Sequence, residues 1–348
     1  MYKGAIIGFG GMARMHFNVV GIMEDMAYTG VYDVAEKANR DAAEAGLTVY
    51  ESAEALLQDA SVNFVLVATP NCYHKDYVIA ALRAGKAVIC EKPVTMNAKE
   101  LEEIMAVQKE TGASFTIHQN RRWDKDYCMV KKAIDDGMIG KPYYIESRVQ
   151  GSRGIPGDWR CVKEAGGGMM LDWGVHLIDQ MLQMVQSPVV ELYAIVLEER
   201  FESDDNFKLL LTFENGVTAQ IQVDTNCFIS LPRWHVSGLD GTLVVEDWSC
   251  NGKIVVPSKT ETVSFDEYLV VTTAGTTRTM APRPPESMDT LPLPEVSPEW
   301  SDYYKNFFAH LDKNEPLLVT PEQALRVMKI MDYAFESSKE GKAIRCKL

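Results

Sequence analysis

The chain has 348 residues and a formal net charge of −14, and 46% of its residues are hydrophobic. That length is enough for two domains with full cores, and the composition is that of an ordinary globular protein. The acidic charge argues against nucleic acid or an anionic membrane as a main partner, since both require a basic surface. No apolar run approaches the ~20 residues of a membrane span, and we expect no signal peptide because Met1–Lys3 is too short for one.

Seven cysteines are dispersed along the chain without a C-x-x-C pair. An odd, dispersed set is typical of reduced thiols rather than of a disulfide framework or a zinc site. We therefore expect a cytoplasmic protein without a metal centre.

The first 120 residues alternate short apolar strands with helical patterns. The continuous apolar run at 64–68 is expected for a strand that helices cover on both faces. This alternation predicts an α/β domain over residues 1–120, built on a parallel sheet. The predicted strands are 2–8, 26–33, 64–68, 87–90 and 114–118, and the predicted helices are 11–23, 35–45, 73–84 and 98–111.

Beyond residue 120 the strands follow one another directly. Asn215-Gly216 and Asp240-Gly241 are strong hairpin signals. We expect an α+β domain over 121–348 with a large, mostly antiparallel open sheet, crossed by a helix at 169–185. Dense prolines between Pro282 and Pro298 predict an irregular surface segment. The predicted strands are 143–149, 192–197, 207–213, 217–223, 234–238 and 242–246, and helices at 298–311 and 321–339 close the chain and could fold back on the first domain.

The segment Gly8-Phe9-Gly10-Gly11-Met12-Ala13 fits the pattern G-x-G-x-x-[GA] between a predicted strand and a predicted helix. In this pattern the first glycine permits a tight turn, and the second lets the backbone approach a pyrophosphate. Amides at the helix N-terminus can bind such an anion locally even in an acidic protein. The alternative is a purely structural turn in another α/β fold.

Asp33 ends the second predicted strand, 20 residues after Ala13. A carboxylate there can accept hydrogen bonds from the adenosine ribose and would repel a 2′-phosphate. Asp33 therefore favours NAD over NADP. Arg40 is the nearest downstream arginine and would complicate this choice.

Polar residues also follow the next two strands, at the sheet edge where open α/β sheets bind ligands. Thr69, Asn71 and His74 follow the strand at 64–68, although Asn71 and His74 could instead only cap the next helix. Glu91 and Lys92 end the strand at 87–90 in a Glu-Lys-Pro triplet. Taken alone, that triplet is also typical of a solvated turn.

Asp172 and His176 are four residues apart, hence on one face of the predicted helix, and Gly166-Gly167-Gly168 precedes them. Polar residues on an otherwise apolar helix are costly unless they are paired or functional. A packing pair that satisfies both side chains is one alternative. Metal ligation is another, but no third ligand is evident, and His118 or His235 could serve only by an accident of the fold.

Five features follow one another along the chain: the glycine pattern, Asp33, T-P-N…H, E-K-P and G-G-G-x-x-x-D-x-G-x-H-x-x-D. In this order they resemble the Gfo/Idh/MocA oxidoreductases, and the resemblance covers nearly the whole chain. That family includes glucose–fructose oxidoreductase and inositol dehydrogenases. The resemblance implies an N-terminal Rossmann domain and a C-terminal domain with a large open sheet. It also implies a homodimer or homotetramer formed through that sheet.

The resemblance implies an NAD-dependent oxidation of a secondary hydroxyl of a sugar, glycoside or cyclitol. We expect His176 to act as the general base, Asp172 to orient it and Lys92 to stabilise the reacting oxygen. The expected cofactor-binding residues are Gly8, Phe9, Gly10, Gly11, Met12, Asp33, Thr69, Asn71, His74, Glu91, Lys92, Trp159 and Arg160. The expected substrate-binding residues are Lys92, Asn120, Arg122, Arg153, Asp172, Trp173 and His176.

Two other functions remain open. A glycoside hydrolase or eliminase could keep NAD bound and oxidise its substrate only transiently. A non-enzymatic NAD-binding regulator is less favoured, because such relatives tend to lose the triplet of Lys92, Asp172 and His176. A metal-dependent lyase ranks last.

Overall fold

The computed structural model describes residues 1–259, 268–279 and 283–348. Its N-terminal half is built on a parallel sheet with the strand order 3-2-1-4-5-6, which is the order of a dinucleotide-binding Rossmann fold. The strands are β1 (Tyr2–Ile7), β2 (Met26–Tyr32), β3 (Thr48–Val49), β4 (Phe64–Val67), β5 (Ala87–Cys90) and β6 (Phe115–Ile117). The predicted parallel sheet is confirmed, and β4 is buried along its whole length.

Five helices connect these strands in the described chain. They are α1 (Gly11–Val20), α2 (Glu36–Glu44), α3 (Ala53–Gln58), α4 (His74–Arg83) and α5 (Ala98–Thr111). The sequence did not predict β3 or α3, because elements of 2 and 6 residues give too short a pattern. Ser52 nevertheless starts α3, since its side chain accepts a hydrogen bond from the amide of Ala55.

Among the described residues, the strands of the main sheet in the C-terminal half are β7 (Pro142–Gln150), β8 (Val189–Leu197), β9 (Asn206–Phe213), β10 (Thr218–Asp224), β11 (Trp234–Gly238), β12 (Gly241–Val245), β13 (Gly252–Pro257), β16 (Met288–Leu291) and β17 (Ile344–Arg345). These nine strands follow the order β16-β13-β12-β11-β7-β10-β9-β8-β17. Neighbouring strands are antiparallel except β7 and β10, so the predicted mostly antiparallel sheet is confirmed. Both predicted hairpin turns join neighbouring strands, β9 to β10 and β11 to β12.

The proline-rich segment was predicted to be irregular, and this prediction was wrong for Met288–Leu291. These residues form β16, an edge strand that pairs with β13. Pro282 lies outside the described residues. A separate hairpin comprises β14 (Tyr268–Thr272) and β15 (Gly275–Thr279).

The helix predicted at 169–185 starts with an irregular turn. Met170–Gly174 form a π-helical turn, and α7 (Val175–Met184) follows it without a break. Single π turns inside helices are rare and occur frequently at functional sites. The other helices of this half are α6 (Lys125–Asp135), which the sequence did not predict, α8 (Ser301–Lys313) and α9 (Pro321–Glu340).

The C-terminal helices also contact the N-terminal half. The carboxylate of Asp332 in α9 accepts a hydrogen bond from the amide of Ala98, at the start of α5. The hydroxyl of Thr116 in β6 donates to the carbonyl of Val319, just before α9. A domain boundary at residue 120 stays a prediction. No helix in the described ranges is long and apolar enough to cross a membrane.

Candidate active site

A cavity of about 730 Å³ opens at the C-terminal ends of β1, β2, β4 and β5. Ligands of open α/β sheets bind at this edge. Most of the residues predicted to bind a cofactor line it, together with Asp172. The predicted lining residues are Gly8, Gly10, Gly11, Met12, Asp33, Thr69, Asn71, His74, Glu91, Lys92, Trp159 and Arg160.

The glycine loop leaves the N-terminus of α1 open toward this cavity. Gly10 is the N-cap residue and provides no capping side chain, and no acidic residue lies in the first turn. A side chain at Gly10 or Gly11 would meet no atom within 4 Å, whereas Gly8 has a φ of +91° that favours glycine. Free amides and the helix dipole fit a pyrophosphate there.

Asp33 is fixed beside this loop. Its carboxylate accepts hydrogen bonds from the amides of Phe9 (2.6 Å) and Ala35 (2.8 Å). The Phe9 side chain is buried in the core, and a cofactor contact at Phe9 stays a prediction. Arg40 instead pairs with Glu36 at 3.3 Å on an exposed part of α2.

The side chains of Asn71 and His74 form hydrogen bonds with backbone carbonyls outside their own helix, so these residues do more than cap it. The ring nitrogens of His74 lie 2.9 Å from the carbonyls of Pro93 and Thr69. Asn71 donates a 2.7 Å hydrogen bond to the carbonyl of Gly166, far away in the sequence. Burial lowers the pKa of His74.

Lys92 and Asp172 form an ion pair across the two halves of the molecule. The ammonium Nζ of Lys92 lies 2.8 Å from Oδ1 of Asp172 and 3.0 Å from its carbonyl oxygen. Nε of Arg160 lies 3.4 Å from Oδ2. Burial raises the pKa of Asp172, but the charges of Lys92 and Arg160 and the hydrogen bond from Lys92 outweigh it, so the net pKa is lowered.

His176 follows Asp172 by four residues, at the start of α7, but forms no hydrogen bond with it in the described part of the chain. Its side chain is buried, and Nδ1 has no hydrogen-bond partner among the described residues. Burial, followed by the charges of Lys92 and Arg121, holds the pKa of His176 well below its usual range. The imidazole is therefore neutral at physiological pH, as a general base must be. The expectation that Asp172 orients His176 stays a prediction, because no hydrogen bond between the two side chains supports it among the described residues.

Arg121, rather than the predicted Arg122, packs against Trp173. The guanidinium carbon of Arg121 lies 4.1 Å from the ring centroid of Trp173. Arg122 instead binds the last carboxylate of the motif: its guanidinium forms two hydrogen bonds with Asp179 and a third with the carbonyl of Leu318. Neighbouring side chains of a 3₁₀ turn point in different directions, and the sequence could not tell which one faces the site.

A second cavity, of about 400 Å³, meets the first at Asp172. Trp173 and Arg153 line it, and their expected contacts with substrate stay predictions. Residues from the ends of β7 and β10 complete it, among them Asp224 and Thr225, which the sequence did not single out. Asn120 is buried and lines neither of these two cavities.

Each glycine of the triplet has a close neighbour. A side chain at Gly166 would collide with Asn71, one at Gly167 with the carbonyl of Arg160, and one at Gly168 with the carboxylate of Asp204. Asp204 accepts a 2.7 Å hydrogen bond from the amide of Met170, at the start of the π turn. Burial raises the pKa of Asp204 to about 6. No local signal in the sequence pointed to Asp204.

Glu91 belongs to a buried cluster on the other side of the Glu-Lys-Pro triplet. Its Oε1 lies 2.6 Å from Nε2 of His16 and 2.8 Å from Nδ1 of His118, and its Oε2 accepts from the amide of Lys92. The hydroxyl of Tyr304 in α8 contacts the other ring nitrogen of His16. The atoms of His16, Glu91 and His118 that could bind a metal ion lie within 4.8 Å of one another, but Oε1 of Glu91 already forms hydrogen bonds with both histidines, so we interpret the cluster as a polar network rather than a metal centre.

His118 and His235 do not join Asp172 and His176. His118 belongs to the Glu91 cluster, and Nδ1 of His235 lies 3.7 Å from a carboxylate oxygen of Glu146 on the C-terminal sheet. A ligand set built on Asp172 and His176 therefore does not form from these histidines.

Comparison with known families identifies both halves of the chain. Residues 2–119 match the oxidoreductase family with an NAD-binding Rossmann fold, and residues 127–244 match the GFO/IDH/MocA C-terminal domain. The chain belongs to the Gfo/Idh/MocA family, and it is an NAD(P)-dependent oxidoreductase.

Individual relatives agree with this assignment. The chain is 26% identical to scyllo-inositol 2-dehydrogenase (NADP(+)) IolW of Bacillus subtilis, over 98% of this chain and 95% of that protein. It is 23% identical to D-apiose dehydrogenase of Paraburkholderia graminis, over 99% and 90% of the two chains. A crystal structure of an NAD-binding protein from Listeria innocua is 41% identical, with a TM-score of 0.88 over 99% of this chain and 96% of that one.

Proposed function

We propose that this protein oxidises a secondary hydroxyl of a sugar, glycoside or cyclitol, or catalyses the reverse reduction. The observation that carries the proposal is the ion pair of Lys92 and Asp172, because it lies where the cofactor cavity meets the second cavity. The names of the inositol and apiose dehydrogenases among the relatives support a polyol substrate.

Oxidation of a secondary alcohol removes a hydride from carbon and a proton from oxygen. The nicotinamide of a bound cofactor supplies the hydride acceptor. Lys92 donates a hydrogen bond to the reacting oxygen and stabilises the negative charge that develops on it. Asp172 holds the Lys92 ammonium in place, and neutral His176 accepts the proton.

We further propose that NAD is preferred over NADP. The carboxylate of Asp33 lines the cavity beside the glycine loop and would repel a 2′-phosphate. One relative is named as an NADP(+) enzyme, so the choice needs a direct test. We expect the Asp33→Ala variant to have a lower kcat/KM for NAD than the wild type. The ratio of kcat/KM for NAD to kcat/KM for NADP, measured with both cofactors on one substrate, should also fall. A wild-type protein that prefers NADP would contradict the proposal.

We also propose that the protein forms a homodimer or homotetramer through the C-terminal sheet and acts in the cytoplasm. Ile195 and Leu197 on β8 and Leu210 on β9 are exposed on neighbouring strands, which supports a partner on that face. All seven cysteines are unpaired, which supports a reducing compartment. Analytical ultracentrifugation of the wild type and of Leu210→Glu tests the interface, and a monomeric wild type would contradict it.

A substrate screen tests the main proposal. Cyclitols, free sugars and glycosides are incubated with NAD or NADP, and reduced cofactor is followed by its absorbance while the products are identified. We expect net formation of reduced cofactor with at least one of them, and a His176→Ala variant that loses most turnover but still binds NAD. Product formation without net reduced cofactor would instead indicate a hydrolase or eliminase that oxidises its substrate transiently.

A further inference from the structure

We propose that the second cavity is a subsite for a second sugar ring, so that the substrate is a glycoside of disaccharide size rather than a single ring. This rests on the proposed function, since it places the oxidised ring at Lys92 and Asp172. The second ring then lies against Trp173, Asp224 and Thr225.

The size of the cavity supports two rings. Liquid water takes about 30 Å³ per molecule, so a cavity of about 400 Å³ holds roughly thirteen waters. A six-carbon polyol ring carries nearly as many heavy atoms, but covalent bonds hold them closer together than waters lie to one another. One ring at the junction with the cofactor cavity therefore leaves much of this space unfilled.

A buried hydroxyl in this cavity needs a partner. Thr225 follows β10 and lines the cavity, and its side chain is only 7% exposed. Its Oγ1 is buried and has no hydrogen-bond partner within the described ranges. Unpartnered buried polar atoms are costly, and a hydroxyl group of a bound ligand would remove that cost.

The neighbouring polar groups fit a polyol. Oδ2 of Asp224 accepts hydrogen bonds from the side-chain amides of Gln150 and Gln222, each at 2.7 Å, so the carboxylate is oriented before a ligand arrives. Arg153 lines the same cavity and forms no hydrogen bond or ion pair with the residues that the structure describes. An oriented carboxylate and a free guanidinium can together accept from and donate to sugar hydroxyls.

Trp173 provides the apolar wall. One side of its ring is covered by the guanidinium of Arg121 at 4.1 Å, and Asp124 fixes that guanidinium at 2.8 Å. The indole also lines the cavity. The C–H face of a sugar ring can pack against such a fixed aromatic surface, which explains a tryptophan between Asp172 and His176.

Binding measurements test the subsite without depending on turnover. Isothermal titration calorimetry compares maltose, cellobiose, lactose, trehalose and sucrose with the methyl glycosides of their component sugars, on the full-length protein with NAD. We expect at least one disaccharide to bind tenfold or more tightly than its methyl glycoside. Thr225→Val and Asp224→Asn, tested as separate variants, should each reduce the ratio of disaccharide affinity to methyl-glycoside affinity about fivefold. The affinity for the methyl glycoside should stay within twofold of the wild-type value. Thr218→Val, at an exposed position of β10, is the control and should change neither affinity.

The outcomes separate this inference from the proposed function. If no disaccharide binds better than its methyl glycoside, or if the advantage survives both variants, the subsite is wrong even where single sugars are oxidised. If a disaccharide shows the expected binding but reduced cofactor never forms, the proposed oxidation is wrong and the subsite stands.

Discussion

Glu91 and Lys92 are adjacent in the sequence, but their side chains belong to two different ionic clusters. Lys92 reaches across the molecule to Asp172, between two cavities. Glu91 is enclosed between His16 and His118, in a buried network that Tyr304 extends into α8. One short segment at the end of β5 therefore joins the site of the proposed chemistry to the core of the N-terminal half.

The difference lies in what each charge can reach. The Lys92–Asp172 pair borders open space, so a ligand can share its hydrogen bonds. Burial raises the pKa of Glu91, but the two imidazoles beside it bring the net pKa well below its usual range. Burial and the neighbouring His16 lower the pKa of His118 to about 4. The Glu91 carboxylate is held between two buried imidazoles in the core, and we expect this cluster to stabilise the fold rather than to bind substrate.

The largest expected effect is on turnover. Lys92→Met removes the ammonium that stabilises the reacting oxygen, and we expect kcat/KM to fall about 10²- to 10³-fold. Affinity for NAD, measured by fluorescence titration, should stay within a few-fold. Lys75→Met, which removes only an exposed pair with Glu103, is the control. Unchanged turnover in Lys92→Met would remove Lys92 from the chemistry.

The second effect is on stability. Glu91→Ala leaves two buried imidazoles without their acceptor, and we expect the free energy of unfolding to drop by about 3 kcal/mol. Denaturant unfolding followed by circular dichroism measures it. Glu103→Ala, which breaks an exposed pair, should cost less than about 0.5 kcal/mol. Equal costs for both variants would show that the buried cluster contributes no more than a surface pair.

The smallest effect is a pH dependence. The pKa of His176 lies well below 6.5, so its neutral form persists as the pH falls through that value. We expect kcat/KM to stay nearly constant down to pH 6.5 and to fall only at clearly lower pH, as His176 becomes protonated. Burial raises the pKa of the Asp204 carboxyl group to about 6, so Asp204 could also affect activity in this pH range. The Asp204→Asn variant separates its contribution to the pH dependence from that of His176. The prediction would be contradicted if kcat/KM fell with a midpoint at or above pH 6.5 and this fall were caused by protonation of His176.

Local patterns predicted much of the fold because they depend on neighbours in the sequence. A few neighbouring residues were enough to predict the structure in three cases: the apolar run of β4, the glycine loop before α1, and the Asn-Gly and Asp-Gly turns. Short or edge elements such as α3 and β16 were missed, because their patterns are too short or are interrupted by proline.

The candidate site divides in the same way. The order of the glycine loop, Asp33, Lys92 and Asp172 along the chain was enough to predict the lining of the cofactor cavity. The sequence analysis named Arg122, whereas Arg121 is the arginine that packs against Trp173, and it gave no sign of Asp204 or Thr225. These residues reach the site because segments distant in the sequence contact one another in the folded chain. A local sequence pattern does not predict such contacts.

The sequence by itself determined which residues surround the cofactor cavity, because strand ends and glycine loops place them through local geometry. Only the tertiary structure decided their partners. Asp172 was expected to orient His176, four residues away, but its ion-pair partner is Lys92, 80 residues away. The physical reason is that the two halves of the chain meet at the π turn, where the Lys92 ammonium satisfies a mostly buried carboxylate and leaves the imidazole neutral.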